Sequence, residues 1–466
     1  MKRNAGTKNL RHMKHSLLLS KLIKKLHTVN CLLFGLTQIT ITISQTRKSR
    51  TQNMLKLSPW LDIPSYSDFS IYNLPFGIFT TSEKGKRVGI AVGDKVVDLK
   101  TGAEEGLFEE IEFDQSVLES DHLNEMIAVG KQVTNRIRGI VQEALCDEHS
   151  VLMKIEGIME EMSAVTMHIP VKVGDYTDFY SSLEHATNVG NMFRDPQNAL
   201  LPNWRHLPVG YHGRASSIVI SDTEIRRPNG QIVPDGQKEP EFGPTQKLDF
   251  ELEVAFVVGK QTEPGETVSV EEAVDHIFGL VLFNDWSARD IQNWEYQPLG
   301  PFLGKSFASS ISPWVVPLEA LEPFRVKGPM QDPRPLEYLK TDGKKNFDIN
   351  LEVAIQTEGD DELSTICKTN FSLMYWNMFQ QLAHHTSNGC NLNVGDIMAS
   401  GTISGKEPDS LGCMLELTMN GAVPLTLKNG KKRSWIEDGD SVVLRGFAEM
   451  DGVRVGFGEC VGRVLP

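Results

Sequence analysis

Leu248–Gly259 reads LDFELEVAFVVG, and its alternation is that of a strand. Side chains leave a strand on opposite faces by turns, so Phe250, Leu252, Val254 and Phe256 share one face and Asp249, Glu251 and Glu253 the other. The apolar face predicts packing. The acidic face poses a question, because neighbouring carboxylates repel and raise one another's pKa unless a cation neutralises them. Either these acids lie on a solvated surface, or they converge with others on a divalent cation.

The same strand character runs from Met167 onward. Ile218–Ile220, Ile277–Asn284, Phe347–Ile355, Val442–Arg445 and Val453–Val464 are short apolar runs separated by Gly and Pro turns, and Phe371–His385 is the best helical pattern among them. This predicts a large, mainly antiparallel β domain rather than a doubly wound sheet. No G-x-G-x-x-G opens a helix after a strand, so no dinucleotide cofactor is indicated. Upstream, Arg87–Leu99 (RVGIAVGDKVVDL) predicts a hairpin turning at Gly93-Asp94. Residues 104–162 then become rich in Glu, Leu, Met and Ala at helical spacing. The expected organisation is a small β domain with connecting helices over 54–165 and a catalytic β domain over 166–466. Pro323–Lys345, rich in Pro and charge, reads as a surface loop.

The 466 residues carry a formal charge of -14, unevenly spread. Ahead of Asp62 there are twelve Lys and Arg and no acid, and the remainder sets 35 Lys and Arg against 61 Asp and Glu. An acidic body argues against nucleic acid as partner, since phosphate binding needs a basic face. Cys31–Ile43 is too short and too interrupted by Thr and Gln to span a bilayer, so no membrane partner is expected. The six cysteines are scattered without a C-x-x-C pair, which predicts reduced thiols and no cysteine-held metal. Residues 1–53 are basic and acid-free. They read as a transit peptide, a disordered tail or an extension upstream of a start at Met54, and in each case lie outside the fold.

Three further segments carry chemistry. DYTDFYSSLEHATNVGNMFR, Asp175–Arg194, crowds acids, tyrosines, a histidine and an arginine together and singles out Asp178, Tyr180, His185 and Arg194. In VLFNDWSARDIQNWEY, Val281–Tyr296, an apolar run ends at Asn284-Asp285. If a helix follows, Asp285, Arg289, Gln292 and Tyr296 share one side. The competing reading is a surface helix anchored by Trp286 and Trp294. Asp178, Glu251, Glu253 and Asp285 together would offer four hard oxygen donors, which favour Ca²⁺ or Mg²⁺ over zinc or copper. Lys305, in a Gly- and Pro-rich turn, would supply compensating charge. In SGTISGKEPDSLGCMLE, Ser400–Glu416, glycines flank the hydroxyls of Thr402 and Ser404, which are suited to donating to a carboxylate. Glu416 is expected on a Met-Leu-Glu-Leu strand, either exposed or aimed inward to orient a histidine.

GDYTDFYSSLEHATNVGNMFR, LPNWRHLPVGYHGRASSIV, LDFELEVAFVVG, FGLVLFNDWSARDIQNWEYQPLGPFLGKSF and ASGTISG, in this order, closely resemble the fumarylacetoacetate hydrolase family from about Leu61 to Pro466. The resemblance implies a mainly β protein, with a small SH3-like N-terminal β domain and a large mixed β-roll domain, assembled as a homodimer. It implies hydrolysis of the diketo dicarboxylate 4-fumarylacetoacetate to fumarate and acetoacetate, the last step of tyrosine and phenylalanine breakdown. Its metal is Ca²⁺ on Asp178, Glu251, Glu253 and Asp285, with Mg²⁺ beside Lys305 and Ser309, a serine where the family usually has threonine. By the same resemblance His185 is the base, oriented by Glu416, and Arg289, Gln292 and Lys305 stabilise the oxyanion. Tyr180, Arg194, Tyr211, Gln292, Tyr296 and Thr402 would bind substrate. A cytoplasmic location follows, with organellar import through residues 1–53 left open. The wider superfamily offers an alternative, oxo-acid decarboxylation or isomerisation.

Overall fold

Two β-branched runs meet at Gly93, whose φ of +60° suits the tight turn between them. Arg87–Val92 and Lys95–Asp98 thus form the expected hairpin. The computed structural model describes residues 57–466, so the expectation for 1–53 lies outside the described residues. The hairpin belongs to a five-stranded antiparallel sheet completed by Phe76–Thr80, Met159–Glu161 and Thr166–His168. Met159–Glu161 differs from the helical reading of 104–162, whereas Thr166–His168 lies beyond that interval. Helix does occupy much of that interval, and Lys131–Leu145 buries Ile137, Ile140, Val141 and Leu145 along one side. Its end instead returns to one edge of the sheet, where a three-residue Met-Glu-Glu strand carries too little pattern to announce itself.

The protein is mainly β. Beyond this first sheet and four two-stranded ones, the turn-punctuated runs of the described residues build two more large sheets. One joins Ser364–Asn370, Asn350–Gln356, Ser441–Met450 and Val453–Leu465 by antiparallel pairing, with Glu224–Arg226 added in parallel. The other sets Tyr176–Phe179, Ile397–Ala399, Leu252–Val258, Ile277–Asn284 and Ser309–Ile311 side by side. Gly210–His212 lies at one end of this sheet and Ile218–Ile220 at the other. Two of its pairs are parallel, Ile397–Ala399 with Tyr176–Phe179 and Ser309–Ile311 with Ile218–Ile220, so it is mixed.

The decisive stretch departs from a continuous strand. Leu248–Asp249 pairs with Ser287–Ala288, and a separate strand, Leu252–Val258, pairs with Ile277–Asn284. Phe250, Leu252, Val254 and Phe256 enter the main core as expected. The acidic face is buried too: Asp249, Glu251 and Glu253 are all shielded from solvent, which removes the solvated-surface reading. The Pro323–Lys345 stretch is largely exposed, although Leu339 within it is fully buried.

The helix Leu183–Phe193 crosses the chain at Ala199 so closely that a Cβ on Gly190 would lie 2.0 Å from the Ala199 carbonyl oxygen. Gly190→Ala is therefore expected to destabilise by about 1–3 kcal/mol through overpacking. Thermal melts should show a lower midpoint than for Gly85→Ala, where the added methyl meets nothing within 4 Å.

Candidate active site

Antiparallel and parallel pairing bring the ends of neighbouring strands to one place. Asp178 stands opposite Ala399 and Glu253 opposite Phe283, while Asp285 follows the end of the Ile277–Asn284 strand and Ser309 opens the next strand. The intervening bend carries Glu251 into the same spot, where its N–H donates to the Asn284 side chain at 3.1 Å. The result is four buried carboxylates, of Asp178, Glu251, Glu253 and Asp285, offering oxygens within 4.8 Å of one another.

Such a cluster needs positive charge, since an unpaired buried ion costs several kcal/mol. Lys305 supplies part of it: its Nζ lies 2.5 Å from Glu251 Oε2 and 2.5 Å from Asp285 Oδ2, and it donates to Ser287 Oγ at 2.8 Å. Arg289 Nη1 adds a second contact, 2.7 Å from Glu251 Oε1. Burial works to raise the pKa of Glu251, but Lys305 and Arg289 hold it down to about 2. Asp178 and Glu253 fare otherwise. Burial pushes both well above the usual carboxylate range, and the neighbouring acids push further. One oxygen of each, Asp178 Oδ1 and Glu253 Oε1, is buried with no hydrogen-bond partner. Two carboxylates are thus matched by fixed cations and two are not. The unmatched pair, with only oxygen donors around it, fits a hard divalent cation.

Ser309 Oγ donates to Asp285 Oδ1 at 2.7 Å, and the Tyr211 hydroxyl reaches Asp285 Oδ2 at 3.4 Å. Gly401 has a φ of +78°, and a Cβ there would lie 2.2 Å from the Phe179 carbonyl oxygen. That close approach lets the Gly401 N–H donate to Glu253 Oε2 at 2.9 Å. Thr402, next in sequence, is buried.

Beside the carboxylates lies a second constellation. Ser182 caps the Leu183–Phe193 helix, placing His185 in its first turn and burying it. His185 Nδ1 is 2.6 Å from Glu416 Oε2, and the Tyr180 ring meets the imidazole edge-on at 5.3 Å. Glu416 is not on a strand, as its pattern had suggested, but on the short helical turn Met414–Leu417, and it is aimed inward. The turn wins because its first two N–H groups find the Asp249 carboxylate. Asn188 Nδ2 donates to Glu416 Oε1 at 2.8 Å and Ser404 Oγ to Oε2 at 2.7 Å. Against the upward push of burial, His185 and these donors hold Glu416 at about 2. It stays ionised, and the second imidazole nitrogen, Nε2, is left to take a proton.

The helix of the second segment starts at Arg289, not at Asp285, so Asp285 stands just past the strand end while Arg289 pairs with Asp249 and Glu251. Gln292 Oε1 accepts from Arg289 Nη1 at 3.4 Å. Trp286 is fully buried, whereas Trp294 is largely exposed and donates to Gln231. Two expected substrate contacts are exposed: Tyr296, at 44 %, and Arg194, whose guanidinium donates to the Ala199 carbonyl. Asn188 was not anticipated, although its place three residues after His185 on a helix was a usable signal. Neither was the pairing of Asp249 with Arg289, which spans forty residues of chain.

With this geometry in hand, likeness to known proteins can be weighed. A family model described as Fumarylacetoacetase N-terminal matches residues 72–170, and one described as Fumarylacetoacetate (FAA) hydrolase C-terminal matches residues 175–465. The chain belongs to the fumarylacetoacetate hydrolase family. Among similar members, the Fumarylacetoacetase of Homo sapiens is 50% identical over 412 residues, covering 87% of this chain and 98% of that protein. That of Bos taurus is 52% identical over 406 residues, covering 86% and 97%. That of Arabidopsis thaliana is 51% identical over 419 residues, covering 89% and 99%. Family membership therefore spans both parts of the chain.

If the unmatched carboxylates hold a cation, saturating Ca²⁺ or Mg²⁺ should raise the melting temperature above that of chelator-treated protein. Glu253→Gln keeps an acceptor for Gly401 but removes a strained charge, so it should stabilise the chelator-treated state and shrink the metal-induced shift. Identical melts of the parent with Ca²⁺, Mg²⁺ and chelator would exclude a cation site.

Proposed function

We propose that this chain hydrolyses 4-fumarylacetoacetate to fumarate and acetoacetate, cleaving the carbon–carbon bond between a carbonyl carbon and its neighbour. The observation that carries the reading is the buried His185–Glu416 pair set beside four converging carboxylates, in a chain about half identical to Fumarylacetoacetase proteins over nearly their whole length. The related oxo-acid decarboxylations and isomerisations do not need water activated by a base. A histidine held by an ionised glutamate is suited to that step.

Each part of the reaction has a residue fitted to it. His185 Nε2 takes a proton from water, and Glu416 fixes the ring through Nδ1 and stabilises the imidazolium that results. The hydroxide adds to the carbonyl carbon. The carbon–carbon bond then breaks, its electron pair leaving with acetoacetate as an enolate that is protonated on release. Arg289, Gln292 and Lys305 present donors for the oxyanion, and preorganised donors of this kind contribute about 2–4 kcal/mol each. Arg289 Nη2 is buried without a partner, the state expected of a donor awaiting an anion. Tyr180, Arg194, Tyr211, Tyr296 and Thr402 are assigned to the dicarboxylate substrate, Arg194 by pairing with a carboxylate.

Asp178, Glu251, Glu253 and Asp285 would hold Ca²⁺, with Mg²⁺ beside Lys305 and Ser309, supplying Lewis-acid polarisation of the diketone oxygens when bound. Homodimeric assembly, a cytoplasmic location and a place at the end of tyrosine breakdown are proposed on the family likeness.

Loss of the ultraviolet absorbance of fumarylacetoacetate on adding protein tests the reaction, and a chelator should abolish it. His185→Ala should lose about 10²- to 10⁴-fold in turnover while keeping its fold and its metal-dependent melting shift. Near-normal turnover by that variant would end the assignment of His185 as base. A chain begun at Met54 should match the full chain in turnover and melting midpoint, since the family match begins beyond it; a measurable loss of either would give residues 1–53 a part in the enzyme.

A further inference from the structure

We propose that Asp249 is a positioning residue for this hydrolysis, one that locks the oxyanion arginine and the base-orienting glutamate into a single register; the proposal rests on the reaction assigned above. Asp249 is fully buried, on the two-residue strand paired with Ser287–Ala288. It touches neither His185 nor the four-carboxylate centre through a hydrogen bond. Its two oxygens instead accept three. Oδ1 takes the Met414 N–H at 2.6 Å, while Oδ2 takes the Leu415 N–H at 3.0 Å and Arg289 Nε at 2.8 Å.

These partners serve different halves of the chemistry. Met414 and Leu415 open the turn that carries Glu416, and N–H groups at the start of a helical turn have no acceptor within it. Asp249 satisfies them and so sets where the Glu416 side chain begins. On the other side, Arg289 is gripped along one edge by Asp249 and at Nη1 by Glu251, 2.7 Å away. Its backbone is tied as well, the Arg289 N–H donating to the Lys247 carbonyl at 2.9 Å. With Nε and Nη1 engaged, the rigid guanidinium plane has Nη2 as its remaining donor, and that atom is buried and unpartnered.

Only a carboxylate suits this post. Three donors converge from two segments, and asparagine would offer one acceptor atom and turn an amide hydrogen towards the others. Misplacement of a catalytic group by about 1 Å can lower a rate on the order of 10²-fold. Loss of the anchor should therefore appear in turnover more than in substrate affinity.

The test is Asp249→Asn in the full chain, with fumarylacetoacetate as substrate. A fall in kcat of about 10- to 100-fold with KM changed less than about threefold is expected. In an Arg289→Ala background the same change should cost at least about fivefold less, because residues acting as a unit are not additive. Unchanged kcat, or losses that simply multiply, would overturn the proposal. Hydrogen exchange gives a second reading should Asp249→Asn not fold. Arg289→Ala alone should speed exchange in the peptide spanning 413–417 if arginine and turn share one anchor, and unchanged exchange would reject the shared anchor. This arm needs no substrate, so a parent protein that leaves fumarylacetoacetate intact would sink the assigned reaction without touching the anchor.

Discussion

Four buried carboxylates offer oxygens less than 5 Å apart, and the rest of the molecule is arranged around that electrostatic burden. No single element could bear it. Placing Asp178, Glu253 and Asp285 on or beside neighbouring strands fixes their separation through backbone hydrogen bonds, so mutual repulsion cannot spread them apart. The hydrophobic faces of those strands are sealed in the core, as Leu252, Val254, Phe256 and Leu282 illustrate. Burial of apolar area offsets what the acids cost. The sheet thus acts as the frame that makes an unfavourable charge arrangement persist.

The division of cations within that frame separates residues of one type into different roles. Glu251 and Glu416 are both held at about 2, one by Lys305 and Arg289, the other by His185 and neutral donors. Asp178 and Glu253 are pushed the opposite way by burial and by neighbouring acids, Asp285 and Glu251 among them. Carboxylates whose environments drive them apart in this manner mark the assignments of a site. Glu416 remains an anion bonded to His185, while the strained pair is the part that fits a dication.

Much of this was legible in the sequence, and the limits were physical. Strand alternation in Leu248–Gly259 correctly separated the apolar set from the acidic set, because burial demands a period of two. It overstated continuity, since the bend at Phe250–Glu251 leaves every side chain on its expected side while changing the pairing partner from Ser287–Ala288 to Ile277–Asn284. Met-Leu-Glu-Leu looks like a strand because four residues cannot distinguish a period of 2 from one of 3.6. Its helical turn is decided by Asp249, 165 residues away along the chain. Contacts of that range, together with the division of Lys305 between Glu251 and Asp285, are properties of the folded surface and leave no local trace.

The Gly-Thr-Ile-Ser-Gly segment shows how two chemically distinct constellations are kept in step. Gly401 donates to Glu253, and three residues later Ser404 donates to Glu416. Between them the Ile403 N–H is bonded to the Leu252 carbonyl, and the Leu252 N–H to the Gly412 carbonyl. The Gly412 N–H donates in turn to Ser404 Oγ at 2.9 Å. One short run of chain therefore grips a carboxylate of the acidic centre and the glutamate paired with His185, and is itself pinned to the strand that carries Glu253. The spacing between the His185–Glu416 pair and the charged centre is set through this backbone ladder, with the Ser404 hydroxyl as its last link. Glycine is required at 401, where the backbone N–H is itself the donor to Glu253 and an added Cβ would meet the Phe179 carbonyl.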